Sequence, residues 1–307
     1  MHEANRYPET LSPTPLVPIR LSAEAPAIWC KLEFLNPSGS TKDRIARYIL
    51  GKAVREGSVQ PGGSVIEASS GSTSIAMAMV CAQLGLKFIA VLPAGVSSER
   101  VLMIRAYGGS IHFAPKERGI VGCIEESERL AGETGAFLPR QFSNPANAEA
   151  HEFGTAREIV EQIPGHVVDA VVSGVGTGGT LVGLMRGCRS EGRVQRAFLA
   201  RPIDLAATRE QECCSFSSRI PGVIECVSSI FREADYQSLT TIEIRDDEAL
   251  QTTRELIRMG FPVGPSSGLN YRAAQLAAES LGPAQIVTVL PDRMERYFST
   301  ELFRPFA

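Results

Sequence analysis

The apolar positions of this chain switch period repeatedly along its length. Short apolar runs at 28–33, 64–66, 88–92, 111–114, 170–173, 197–200, 241–244 and 286–290 have the length and residue types of strands. Between most of them the spacing opens to three and four, the period of a helix with one buried face, at 75–84, 98–107, 122–134, 247–259 and 267–281. Ile45, Tyr48, Ile49 and Ala53 fall at i, i+3, i+4 and i+8, and Gly57 stops that helix. Residues 75–86 are apolar all round, which predicts a core helix. No stretch reaches the roughly 18 apolar residues of a membrane span. Such alternation predicts an α/β fold of parallel sheets flanked by helices on both faces. Residues 202–238 are the least regular part and carry Cys213 and Cys214; long loops of this kind are often functional or mobile.

Three of the predicted strand-to-helix junctions are built from glycines and hydroxyl residues. Residues 67–73 (EASSGST) and 174–180 (GVGTGGT) each follow a strand and open a helix, and residues 264–268 (GPSSG) open a third. Hydroxyls and free amides at helix starts suit an anion, a carboxylate at the first loop and a phosphate at the second. A fourth loop, 36–44 (NPSGSTKDR), ends in Lys42 where a helical pattern begins. The chain has five lysines, at 31, 42, 52, 87 and 116, so few amines are candidates for covalent chemistry.

Each motif also has a plain structural reading. Gly174, Gly176 and Gly179 satisfy a dinucleotide fingerprint, but they lie mid-chain, and the acidic residue at the expected distance is Glu191, in a polar turn. Ser69, Ser70 and Ser72 form an N-cap cluster, and Gln141 and Asn144 shape a turn before a helix running to about residue 163. His151-Glu152 begins like a zinc-protease helix, yet Thr155 stands where the second histidine belongs, so a metal is not expected.

Length and charge narrow the class. At 307 residues the chain is expected to form two lobes, because single cores stop growing at roughly 250–300 residues. A formal net charge of −3 gives no basic footprint, so no nucleic-acid partner is expected. The seven cysteines show no CxxC pair and no metal-ligand spacing, which fits reduced thiols in cytoplasm. The start, MHEANRYPETLSPTP, has no apolar signal core, and no membrane association is expected.

NPSGSTKDR, EASSGST, QFSNPAN (141–147), GVGTGGT, GPSSG and LPDRMERYFST (290–300) together resemble, in order and spacing, the cysteine synthase and cystathionine β-synthase branch of fold-type II pyridoxal-phosphate enzymes, over residues 13–303. EASSGST also resembles the cysteine desulfhydrases of that superfamily. The resemblance implies a two-lobed α/β fold, tryptophan synthase β-like, with mostly parallel twisted sheets. Residues 1–40 with 147–307 would form the larger cofactor-binding domain and residues 41–146 a smaller one that closes on substrate.

By position, the resemblance implies Lys42 as Schiff-base lysine, Gly176, Thr177, Gly178, Gly179 and Thr180 as the phosphate loop, and Ser266 facing the pyridine nitrogen. It implies Ser69, Ser70, Gly71, Thr73 and Gln141 around the substrate's α-carboxylate, and pyridoxal 5'-phosphate as cofactor. Ser72 stands where the family has an asparagine touching the cofactor's phenolic oxygen. Ile224 and Met294 replace family glycines, Ile224 near the substrate's side chain. The implied reaction is β-elimination or β-replacement on a small amino acid through an aminoacrylate. Cysteine synthase comes first, then cysteine desulfhydrase, then a cystathionine- or diaminopropionate-forming relative. A homodimer is implied. The competing class is a catalytically silent paralogue that binds the cofactor.

Overall fold

The computed structural model describes residues 11–189, 196–204, 219–223, 228–232 and 239–306. Strands β1 (Leu16–Ile19) and β2 (Ile28–Lys31) come first, then helix α1 (Lys42–Arg55). There follow β3 (Ser64–Ala68), α2 (Ser72–Leu84), β4 (Lys87–Pro93), α3 (Ser98–Ala106), β5 (Ser110–Ala114) and α4 (Gly119–Thr134). Helix α5 (Ala146–Ala150) runs through a π-helical stretch (His151–Ala156) into α6 (Arg157–Gln162). The chain continues with β6 (Ala170–Gly174), α7 (Gly179–Gly187), β7 (Arg196–Ile203), β8 (Leu239–Arg245), α8 (Asp246–Arg258), α9 (Pro265–Leu281) and β9 (Ile286–Val289).

These strands form two sheets. One has the order β1-β2-β9-β6-β7-β8, the other β3-β4-β5. Among the described strands β1 pairs antiparallel with β2, and every other pair is parallel. Parallel strands need crossover helices, so both faces of each sheet are covered and both sets of alternating side chains are buried. In β6, Ala170 and Val172 enter one core while Val171 enters the core on the opposite face. In β4, Phe88, Ala90 and Leu92 point one way and Val91 the other. The predicted α/β fold with mostly parallel sheets is the one observed.

The eight predicted strands are present, with bounds shifted by at most a few residues. Strand β1 was not expected. Its sequence, Leu16-Val17-Pro18-Ile19, is short and interrupted by proline, which an edge strand tolerates because one side of its backbone needs no ladder partner. The helix expected to run to residue 163 is broken by the π-helical stretch at His151. Cys213, Cys214, Glu191 and Ile224 lie outside the described residues.

The residues that follow β3, β6 and β9 converge on one cleft. That is where parallel α/β sheets place ligands, because loops and helix N-termini gather at the carboxyl ends of the strands.

Candidate active site

Lys42 is the first residue of α1 and lines the cleft. The loop before it is pinned from several sides. Gly39 has φ of 83°, the left-handed conformation that glycine tolerates best. The Thr41 amide donates to the Pro291 carbonyl at 2.8 Å. The Asp43 carboxylate accepts the Ser38 amide at 2.6 Å and the Ser38 hydroxyl as well, and Arg296 reaches the Ser38 carbonyl. Burial raises the Asp43 carboxyl to about 6, against the lowering effect of those Ser38 bonds.

The Lys42 amine makes no hydrogen bond or ion pair with a described residue. Burial lowers its pKa from the ordinary lysine value, partly offset by the negative charges of Asp292 and Glu33. Its place at the positive end of α1 disfavours the ammonium form in the same direction. A neutral amine is a nucleophile and a base, which an exposed lysine at neutral pH is not.

Opposite stands the start of α7, with Gly176, Thr177, Gly178 and Thr180 lining the cleft and Gly179 behind them. Close packing makes these positions glycine. A Cβ on Gly176 would lie 2.2 Å from the Gly222 carbonyl oxygen, one on Gly178 2.3 Å from Phe231 Cβ, and one on Gly179 1.9 Å from Asn147 Oδ1. Thr177 Oγ1 accepts from Asn147 Nδ2 at 2.9 Å, leaving its own proton to donate. Thr180 Oγ1 lies 3.2 Å from Nε2 of His151, and Nδ1 of that ring is 2.9 Å from Thr155 Oγ1. Burial lowers His151 to about 3, so the ring is neutral near pH 7. The first amides of α7 have no intrahelical acceptor, and they present partial positive charge without a carboxylate beside them.

The loop after β3 is arranged differently from the sequence expectation. Ser70, Ser72, Thr73 and Gln141 line the cleft. Ser69 does not: its hydroxyl accepts the amides of Gly71 at 2.8 Å and Ser74 at 3.2 Å and lies 2.9 Å from Ser74 Oγ. Its hydroxyl thus shapes the turn, and Gly71, likewise, is not among the lining residues. Gln141 is engaged on both sides, accepting from Thr73 Oγ1 at 2.6 Å and donating to the Ala68 carbonyl at 2.5 Å. Ser72 Oγ donates to Asp292 Oδ2 at 3.2 Å. Ser266 lines the cleft at the second position of α9, a neutral hydroxyl as expected. Met294 is not among the lining residues; it opens a 3-10 turn with its amide bonded to the Pro262 carbonyl at 3.0 Å.

Sequence reasoning missed Arg100, Asn147, Asp292 and Tyr297. Asp292 Oδ2 accepts Tyr297 OH at 2.7 Å as well as Ser72 Oγ, and the Arg100 guanidinium carbon stands 4.9 Å from the Tyr297 ring centroid. Asp292 and Tyr297 belong to LPDRMERYFST, a motif whose individual roles sequence alone did not resolve. The readable sign for Arg100 was its place in the first turn of a helix, where the dipole disfavours a cation.

The donor set fits a phosphate-bearing aldehyde. Close-packed glycines and hydroxyls frame one end and a buried amine the other. Among the described residues, Thr41 Oγ1, Asp292 Oδ1 and Arg100 Nε are buried polar atoms of the lining that have no partner, so a polar ligand could satisfy them. Among the described residues no cluster of His, Cys, Asp and Glu has the make-up of a metal site.

The comparisons with known proteins agree with this chemistry. The family model described as pyridoxal-phosphate dependent enzyme matches residues 8–292. A cysteine synthase of Staphylococcus aureus (strain Mu50) is 36% identical over 301 residues, 94% of each chain. The crystal structure of an O-acetylserine dependent cystathionine β-synthase from Helicobacter pylori superposes with a TM-score of 0.83 at 32% identity, covering 95% of this chain and 96% of that one. A hydrogen sulfide-producing enzyme from Fusobacterium nucleatum gives a TM-score of 0.85 at 32% identity, covering 96% of this chain and 90% of that one.

Proposed function

We propose, from the premise that this chain belongs to the family of pyridoxal-phosphate dependent enzymes, that it makes cysteine from O-acetylserine and sulfide. The observation that carries the assignment of roles is the Lys42 amine, held at a pinned helix start with a lowered pKa and no partner among the described residues. Lys42 would carry the cofactor's aldehyde carbon. The amides of residues 176–180 with the hydroxyls of Thr177 and Thr180 would hold its phosphate, and Ser266 would face its ring nitrogen. Bound there, the cofactor supplies the electron sink that lets the β-substituent of an amino acid depart.

The remaining work falls to the chain's own groups. Lys42 Nζ, whose pKa burial lowers from the ordinary lysine value, would take the substrate's α-proton. The Ser266 hydroxyl, being neutral, would not hold a proton on the cofactor's ring nitrogen as an aspartate would, which would favour departure of the β-substituent. The turn at residues 70–73 receives the α-carboxylate. Ser72, through Asp292, ties that turn to the segment after β9.

A second reading is cysteine desulfhydrase, releasing pyruvate, ammonia and sulfide. The EASSGST turn and the likeness to a hydrogen sulfide-producing enzyme favour it. The two readings share Lys42 and the cofactor and differ in what reaches the β-carbon.

We also take the chain to act as a homodimer, with residues 41–146 as the part that closes on substrate and 1–40 with 147–307 as the part that holds the cofactor. We place it in the cytoplasm. Among the described residues Cys30, Cys81, Cys123 and Cys188 are buried thiols, in keeping with a reducing compartment. Among the described residues no helix is long and apolar enough to cross a membrane.

The test is product analysis on the cofactor-loaded protein. Cysteine from O-acetylserine and sulfide supports the synthase. Sulfide and pyruvate from cysteine, with no cysteine formed from O-acetylserine, replaces it with the desulfhydrase. A cofactor-loaded protein inert to every β-substituted alanine overturns both and leaves a binding protein.

A further inference from the structure

The turn that opens α2 has used much of its hydrogen-bonding capacity on itself. Gln141 spends its side-chain amide on Thr73 and Ala68, and Ser69 spends its hydroxyl on Gly71 and Ser74. The amides of Ser72 and Thr73, in the first turn of α2, have no intrahelical acceptor. They are directional donors, but they carry no full charge.

A full charge stands directly beside them. Arg100, on α3, is 7% exposed and lines the same cleft. Its stem lies against Gly71, so closely that a Cβ there would fall 2.3 Å from Arg100 Cδ and 3.1 Å from Nε. Nε is buried without a partner, and the guanidinium makes no hydrogen bond or ion pair with a described residue. It rests on the face of Tyr297, 4.9 Å from guanidinium carbon to ring centroid.

Among the described residues Asp292 is the carboxylate that lines the cleft, and it forms no ion pair with Arg100; its Oδ1 has no partner among those residues. The Tyr297 and Ser72 hydroxyls occupy Asp292 Oδ2, and the Tyr297 ring is the surface on which Arg100 rests. Burying an unpaired guanidinium is costly, and in a cleft the cost is relieved when an anion arrives.

We infer that Arg100 is a substrate-binding residue. It supplies the positive charge that receives the carboxylate of the amino-acid substrate, together with the Ser72 and Thr73 amides. Its planar fork of donors suits two carboxylate oxygens, and the amides of α2 would fix the orientation. The inference deepens the proposed function, since it rests on an amino acid being the substrate, and it assigns the charge recognition to a residue outside the turn.

The experiment compares an acid with its amide on the cofactor-loaded enzyme. Binding of O-acetylserine and of O-acetylserinamide is measured by calorimetry for the wild type, Arg100→Met and Arg100→Lys, and turnover of the acid is followed in the same preparations. The wild type should prefer the acid, and Arg100→Met should weaken acid binding roughly tenfold to a hundredfold while leaving the amide nearly unchanged. Arg100→Lys, which keeps the charge without the fork and is the more conservative change for folding, should recover part of the preference. An acid-over-amide preference that is the same in the variants as in the wild type overturns the inference, whether the two ligands weaken together or neither does. A wild type that binds neither ligand also overturns it. Acid preference that depends on Arg100, in a protein that turns over nothing, keeps the inference and removes the proposed function. Turnover with an unchanged preference does the reverse.

Discussion

Glu67 Oε2 accepts the backbone amide of Gln141 at 3.1 Å, so a buried carboxyl group at the end of β3 braces the residue that closes the turn before α2. Glu67 Oε1 accepts the Ala68 amide at 3.0 Å. Burial raises this carboxyl to about 8, even though both amides and the charge of Arg140 pull it down.

Its pH dependence follows from the sign of that shift. The folded chain holds a proton on Glu67 that the unfolded chain releases near an ordinary pKa of about 4.5, so stability falls as pH rises from there through about 8 and is level above. Glu67→Gln removes this loss and keeps an amide oxygen as acceptor. The melting temperature of the variant, relative to wild type, should therefore climb between pH 6 and 9. A constant difference across that range would show that Glu67 does not titrate there.

Lys42→Ala should lower product formation by roughly 10²–10⁴-fold, the usual contribution of a positioned acid–base group. Its melting curve should stay close to wild type, because the amine makes no hydrogen bond or ion pair with a described residue. Product formation by the variant at the wild-type rate would remove Lys42 from the chemistry.

The glycine loop that opens α7, proposed to hold the cofactor's phosphate, gives a prediction with an internal control. Gly176→Ala places a methyl carbon 2.2 Å from the Gly222 carbonyl oxygen, a backbone atom that moves only with its loop. The variant should lose pyridoxal phosphate on dialysis, measured by absorbance per chain. Gly132→Ala is the opposite case, since its Cβ meets nothing within 4 Å and it lies inside α4. That change should stabilise by about 0.5–1 kcal/mol through the unfolded chain alone and leave cofactor content untouched.

What the sequence made legible was governed by local chemistry. Apolar runs buried on both faces, such as Val171 and Val172, read as strands because every position is committed to a core. Gly178 was readable because its left-handed φ of 82° and the nearness of Phe231 both call for glycine. Ser69 was given a substrate role by the family resemblance, whereas its residue type alone reads as part of an N-cap cluster. Only the fold turned the hydroxyl toward Ser74. Arg100 meets Tyr297 from almost two hundred residues away, and no spacing rule links such a pair. The same holds for β1, whose pairing with β2 brings Pro18 opposite Trp29.

The last prediction concerns Arg44, two residues after Lys42 on the same helix and bonded to Glu33, whose charge also acts on Lys42. Its guanidinium grips Glu33 by two bonds of 2.6 Å and reaches Glu158 at 2.6 and 2.8 Å, while Lys31 Nζ adds a 2.8 Å contact to Glu158. Burial works to raise the Glu33 carboxyl, but Arg44's charge and hydrogen bonds outweigh it and hold the group at about 2. Two carboxylates are thus balanced by two cations at the junction of β2, α1 and α6. Arg44→Met leaves Glu33 buried with no cation in contact, and breaking a buried pair in this way costs about 3–5 kcal/mol. For wild type, the stability contributed by Glu33 is present above its unfolded pKa of about 4.5 and is lost as pH falls toward 2. The variant should therefore show a lower urea midpoint at pH 7 and a smaller loss of stability between pH 5 and 3, because less of it depends on an ionised Glu33. Equal urea midpoints at pH 7 would mean that water or a rearranged Lys31 replaces Arg44, and that the ion cluster is not what anchors the start of α1.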